Sequence, residues 1–129
     1  MQERKLISSG TIWERKYGYS RAVRVGNLVA VAGTTAVDES GAVVGSGSPY
    51  EQAKFIFQKI EKALIHAGSS LQEVVRVRTF ITDISRWEEV ARAQGDVFGD
   101  IRPAATLVQV SALISPDLLV EIEVDAITS

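Results

Sequence analysis

The run LVEIEVDA at residues 119–126 alternates without a break. Val120, Ile122, Val124 and Ala126 fall on one side of an extended chain, while Glu121, Glu123 and Asp125 fall on the other. A strand with one buried and one open face satisfies that order, so the chain must build a sheet packed on one side only. Three acids in a row on the open side suit water, a cation or a pocket, and the alternation by itself is that of a solvated outer face. Upstream, residues 105–110 form a second β-type run, separated from the first by a turn-rich segment holding Ser115, Pro116 and Asp117.

The packed side needs helices, and two are legible. Ser48-Pro49-Tyr50-Glu51 offers a capping box with proline at the first helical position. Ala53, Ile56, Phe57, Ile60, Ala63, Leu64 and Ala67 then recur at three and four residues, and Gly68 stands where a left-handed cap ends such a helix. Lys54, Glu61 and Lys62 fall on its solvent side. Ser85-Arg86-Trp87-Glu88 repeats the capping pattern and predicts a second helix to about Phe98, with Trp87, Val90, Ala91, Val97 and Phe98 inward and Gly95 as a weak point.

Between these lie further strands. Residues 20–25 alternate, Gly26-Asn27 offers a tight turn, and residues 28–33 read as a more buried partner, hence a hairpin. Residues 74–82 are rich in β-branched side chains and predict a strand with two useful faces. Residues 1–18 carry little period and predict a short strand or loop. The order is hairpin, helix, strand, helix and a hairpin-like final pair: an α+β layer with two helices on one face of a mixed sheet. At 129 residues the chain is expected to form one domain over 1–129.

Composition narrows the chemistry. The chain has no cysteine, which removes disulfides, thiolate nucleophiles and thiolate metal sites. A net charge of −2 and a pI near 5.4 provide no basic field for phosphate backbones, so nucleic acid is not an expected partner. No apolar run approaches 18 residues and the first ten residues carry charges in place of a signal-peptide core, so no membrane span is expected and the default location is cytoplasmic. His66, the one histidine, falls near a helix end, where its charge complements the dipole. An all-carboxylate metal set on the final strand would spread its ligands about 6 to 7 Å apart, so neither metal nor cofactor is expected.

The pattern Pro103-Ala104-x-x-x-Val108-x-Val110-x-x-Leu113 followed by Val120-Glu121-Ile122-Glu123 resembles the C-terminal signature of the RidA/YjgF family, once labelled endoribonuclease L-PSP. The likeness continues upstream through Gly18-Tyr19-Ser20, Val25-Gly26-Asn27 and Ala32-Gly33-Thr34, and covers nearly the whole chain. It implies a chorismate-mutase-like fold, assembly as a homotrimer with small-molecule clefts between subunits, and hydrolysis of reactive imines and enamines. It also implies site residues. Glu121 would place and activate the attacking water, Tyr19 would lie beside the ligand, and Gly33 and Thr34 would bring their backbone near it.

Three positions depart from the family pattern. The arginine that grips a substrate carboxylate is replaced by Ala105, the asparagine of the second helix falls near Ala91, and the serine before the glycine is Ala32. Thr106 and Gln109 could supply neutral hydrogen bonds where the arginine is missing. Arg21 and Arg92 are the cations nearest in sequence to cleft positions, ahead of Arg24, Arg76, Arg78 and Arg102. The expected function is therefore an imine or enamine hydrolase of altered specificity, a metabolite-binding trimer with little turnover, or, least favoured, an endoribonuclease.

Overall fold

A computed structural model describes residues 3–129; Met1 and Gln2, within the span 1–129 expected to form the domain, lie outside the described residues. Its centre is one six-stranded mixed sheet in the order β1-β2-β3-β6-β4-β5. The strands are β1 (Arg4–Ile7), β2 (Ala22–Val25), β3 (Leu28–Thr34), β4 (Val74–Ile81), β5 (Ala104–Gln109) and β6 (Val120–Ile127). The helices are α1 (Ile12–Tyr17), α2 (Pro49–His66) and α3 (Trp87–Phe98). The α+β layering expected from the sequence is the one observed.

β6 lies at the centre, antiparallel to β3 on one side and β4 on the other. Val120, Ile122, Val124 and Ala126 are fully buried under the helices, and Val29, Val31, Val77 and Ile81 extend that apolar layer onto the flanking strands. Burying each such Val or Ile contributes about 1.5–3 kcal/mol, which fixes the register, since a one-residue slip would bury the acids instead. The helix side of this core comes from Ile56, Phe57, Ile60 and Leu64 of α2 and from Val90, Ala93 and Phe98 of α3, with Phe57 and Phe98 meeting edge to face at 5.4 Å.

Local rules set the connections. Gly26 takes a φ of 57° at the first of two turn positions between β2 and β3, the sign that a tight hairpin asks there. The Ser48 hydroxyl accepts from the Glu51 amide at 3.1 Å and caps α2, while Ser48 N–H donates to the Gly45 carbonyl, so only half of the capping box forms. At the other end Gly68 adopts a φ of 78°, and Arg24 donates to the carbonyls of Ala67 and Gly68 at 2.8 and 3.3 Å, closing the helix.

Four expectations need correction. The last two strands are not a hairpin-like pair: β4 lies between them, parallel to β5 and antiparallel to β6. The 110–119 segment crosses the end of β4, and it is held by buried Gln52, which donates to the Asp117 carbonyl and accepts from the Leu119 amide. Ser85 does not cap α3. Asp83 accepts from the Ser85 amide and hydroxyl instead and starts a short 3₁₀ turn over Ile84–Arg86, so the helix proper begins later. Trp87 is 48% exposed rather than inward, and Ala91 and Val97 are half-buried, because Val90, Ala93 and Phe98 take the fully buried stripe of α3. Within residues 1–18 a six-residue helix, α1, accompanies the short strand β1.

Candidate functional site

The open face of the sheet carries the acids. By register Glu121 stands beside Phe80, Glu123 beside Arg78 and Asp125 beside Ala30. Arg78 pairs with Asp125 at 3.1 Å and with Glu123 at 3.5 Å, so these two acids share one guanidinium within the chain. Among the described residues Glu121 has no such partner. Burial raises its pKa, Arg21 opposes that rise from a distance, and the neighbouring Glu123 adds to it.

Gly33 explains how Glu121 is held. Pairing of β3 with β6 slips between Val31 and Thr34, leaving Ala32 and Gly33 as a bulge against the centre of the sheet. There the Glu121 side chain lies flat on the Gly33 backbone. A Cβ at position 33 would overlap the Oε2 of Glu121 and come within 3.1 Å of its Cδ. Behind the bulge Arg21 donates to the Gly33 carbonyl at 2.8 Å. Glycine is therefore needed here for a close approach, not for a left-handed turn.

Tyr19 follows α1, is 46% exposed, and rims a shallow hollow of about 430 Å³ on the open face with Ala30, Ala32, Arg78, Glu123 and Asp125. Glu121 lies next to this hollow along β6, outside its lining. α1 ends at the left-handed Gly18, which turns Tyr19 back so that its amide donates to the Glu14 carbonyl. Buried Glu14 holds the preceding loop: burial would raise its pKa, but hydrogen bonds from the Ser9 hydroxyl and amide bring the net shift down.

The remaining candidates lie elsewhere. Thr34 is buried on the helix side opposite Ile122, its hydroxyl donating to the Ala32 carbonyl at 2.8 Å. Ala105 and Thr106 are on the edge strand β5 and are both exposed. Ala105 stands beside Val77 on the helix-bearing face and Thr106 beside Arg78 on the open face. Within one chain, then, Ala105 and Glu121 are on opposite faces of the sheet. Arg92, on α3, stacks on the Tyr50 ring at 4.3 Å, and the Tyr50 hydroxyl donates to Asp96 at 2.5 Å. Of the sequence-predicted set, the fold brings Glu121, Gly33 and Arg21 together, places Tyr19 nearby, and leaves Thr34, Ala105, Thr106 and Arg92 apart from them.

Lys59 was given no role by the sequence. It stands half-buried on α2 and donates to the carbonyls of Thr35 and Val37 at 2.7 and 2.9 Å, bracing the segment that follows Gly33. A lysine among exposed helix positions carries no local signal for such a contact. Among the described residues no three His, Asp or Glu side chains gather as a metal set, and no helix is long and apolar enough to cross a membrane.

A helix-backed mixed sheet with a half-buried glutamate over a glycine bulge makes this an α+β protein with a candidate site on its open face. The chain belongs to the YjgF family: residues 14–128 match the family described as Endoribonuclease L-PSP. A Mycobacterium tuberculosis protein, Rv2704, described as a member of the YjgF/YER057c/UK114 family, superposes with a TM-score of 0.88. It is 47% identical, over 98% of this chain and 100% of that one. The sequence is also 37% identical over 120 residues to the Streptomyces coelicolor protein SCO2049, covering 93% of this chain and 89% of that one. It is 33% identical over 104 residues to the 3-aminoacrylate deaminase RutC of Acinetobacter baylyi, covering 81% of this chain and 82% of that protein.

Proposed function

We propose that this chain is a Rid-type hydrolase of small imines or enamines, and that its substrate lacks the carboxylate that an arginine at position 105 would hold. The observation that carries the reading is the Glu121 carboxylate, half-buried on Gly33 with its pKa raised by that burial. A base whose pKa moves toward neutrality accepts a proton from water more effectively. The name of the Acinetobacter relative, a deaminase of an enamine, supports the same reaction class.

In the step proposed, Glu121 takes a proton from water as the water oxygen bonds to the C=N carbon, and the π pair moves to nitrogen. The nitrogen collects that proton, giving a carbinolamine. Cleavage of its C–N bond then releases ammonia and leaves a carbonyl product, so one imine and one water become one carbonyl and one ammonia. Ala105 leaves no cation on β5, and the loss of one partner of a desolvated charge pair weakens binding by about 2–5 kcal/mol, or roughly thirtyfold to several thousandfold. The amide nitrogen of Gln109, on the same face as Ala105 and with its Oε1 accepting from Ile84, offers a neutral hydrogen bond instead, while the Thr106 hydroxyl offers one on the opposite face.

We place the complete cleft between subunits of a homotrimer. Ala105 and Glu121 stand on opposite sheet faces of one chain, and the exposed apolar side chains of Leu6, Trp13, Tyr17 and Leu28 give another copy a surface to cover. A second reading, a metabolite-binding trimer with little turnover, is favoured by the two alanines at positions 91 and 105, which leave fewer polar ligand groups. Ribonuclease activity is disfavoured by the acidic open face and net charge of −2.

The test is ammonia release from imines generated in situ, one set with a carboxylate and one neutral, by wild type, Glu121→Ala and Ala105→Arg. The reading expects turnover of neutral imines by wild type, loss in Glu121→Ala, and gained carboxylate preference in Ala105→Arg. Inert wild type with saturable ligand binding would favour the binding trimer.

A further inference from the structure

On the helix side of the sheet, across β3 from Glu121, a cavity of about 350 Å³ opens between β1, α2 and the loop after β3. That volume lies in the range of small organic ligand sites. Ile7, Phe55 and Ala63 supply apolar surface, and three cations line it: Arg21, Lys59 and Lys62.

The charges in the cavity do not balance. Lys62 pairs with Glu39 at 3.5 Å at the exposed rim. Arg21 and Lys59 donate only to backbone carbonyls, and among the described residues no carboxylate lies within 4.0 Å of either. The Nε of Arg21 is buried without a partner, and Lys59 uses two of its three protons. Asp38 is the cavity-lining acid whose charge acts on Lys59, and its Oδ1 already accepts from the Ser40 amide, the Ser40 hydroxyl and the Ala42 amide. Glu14 and Glu121 feel Arg21 only from further away. Burial, and after it the Arg21 charge, brings the Lys59 ammonium down to about 8, with Asp38 opposing. Partly desolvated cations ordinarily have a paired counter-charge, and here, among the described residues, Asp38 acts on Lys59 only from beyond ion-pair distance and no carboxylate pairs with either cation.

We propose that this cavity is a second binding site, for a small organic monoanion whose carboxylate sits against Lys59 and Arg21 and whose short apolar body lies on Ile7, Phe55 and Ala63. The site requires neither Glu121 nor imine chemistry, so it stands or falls apart from the proposed function.

Hexanoate is the probe, with 1-hexanol as the same tail without charge and inorganic phosphate as charge without tail, each titrated into the ¹⁵N-labelled full chain at pH 7. Hexanoate should give saturable amide shifts at Thr35, Val37 and the α2 residues around Lys59, with a dissociation constant of about 0.1–3 mM. The two controls should bind at least about tenfold more weakly, and hexanoate should raise the Lys59 ammonium titration above about 8. Gln58→Trp, at an exposed α2 position lining the cavity, should fill it and abolish the shifts. Lys62→Glu, on an exposed side chain at the rim, should weaken hexanoate severalfold while the fold is retained. The proposal is overturned if hexanoate gives no saturable shift below about 10 mM, if 1-hexanol binds as tightly, or if both variants bind hexanoate as wild type does.

Discussion

Replacing Gly33 by alanine separates the fold from the site. The φ of Gly33 lies outside the left-handed region, so the backbone accepts alanine, and fewer unfolded conformations would by themselves stabilise the variant by about 0.4–1 kcal/mol. The new Cβ would, however, stand where the Oε2 of Glu121 now lies. The far end of a flexible side chain can withdraw, and a retreat of about 1.3 Å restores contact distance. Stability should therefore stay within about 1 kcal/mol of wild type, while a misplacement of about 1 Å at a reacting group costs roughly 10²-fold in rate. Thermal unfolding and ammonia release, measured on the same sample, read the two effects. A third readout needs no turnover: the ¹³C titration of the Glu121 carboxyl should move down toward the ordinary carboxylate range as the group leaves its half-buried seat. A Gly33→Ala protein with full rate and an unmoved Glu121 titration would refute the seat, and an unfolded one would refute the claim that the approach serves the site rather than the fold.

Other outcomes follow from the same geometry. The raised pKa of Glu121 means that the folded state binds more protons than the unfolded one above about pH 4.3. Stability contributed by this group is complete below that pH and is lost as pH rises through the folded pKa, so Glu121→Gln should melt higher than wild type at pH 7, with the gap closing near pH 4. Gln52→Leu strips partners from the Asp117 carbonyl and the Leu119 amide and should lower unfolding free energy by about 1–3 kcal/mol in urea. Sedimentation velocity should find three 14.0 kDa chains per particle, and a monomer at micromolar concentration would sink the inter-subunit cleft.

The parts of the fold written in local pattern were legible. The alternation of β6, the cap and period of α2, and the Gly26 turn each bind neighbouring residues to one answer. α1 was missed because its apolar residues do not point inward: Trp13 and Tyr17 stack on each other while 51% and 65% exposed, so no buried period marks the helix. The order of β5, β4 and β6 was missed because pairing across the sheet is a long-range property, and a turn-rich segment between two strands reads locally like a hairpin. Asp83 displaced Ser85 as the capping residue because both are competent and only the three-dimensional start of the helix chooses.

For the site, resemblance pointed to Glu121 and Gly33, but their contact was not readable, since it depends on the β3 bulge. Alternation gives a strand's faces and says nothing of where its partner slips by one residue. Arg21 was expected near a ligand; its side chain's one hydrogen bond to the described protein is to the Gly33 carbonyl, which makes it a brace for the glutamate's seat. Lys59 illustrates the opposite failure, a lysine on the helix surface that is committed to two loop carbonyls.

The central claim is that Glu121, seated on Gly33, delivers water to a C=N carbon. It is tested most directly by ammonia release from a neutral imine with Glu121→Gln, with thermal unfolding recorded on the same preparation. The expected result is a loss of about 10²–10⁴-fold in rate with a melting temperature equal to or above that of wild type. A Glu121→Gln protein that is folded and as fast as wild type would contradict it.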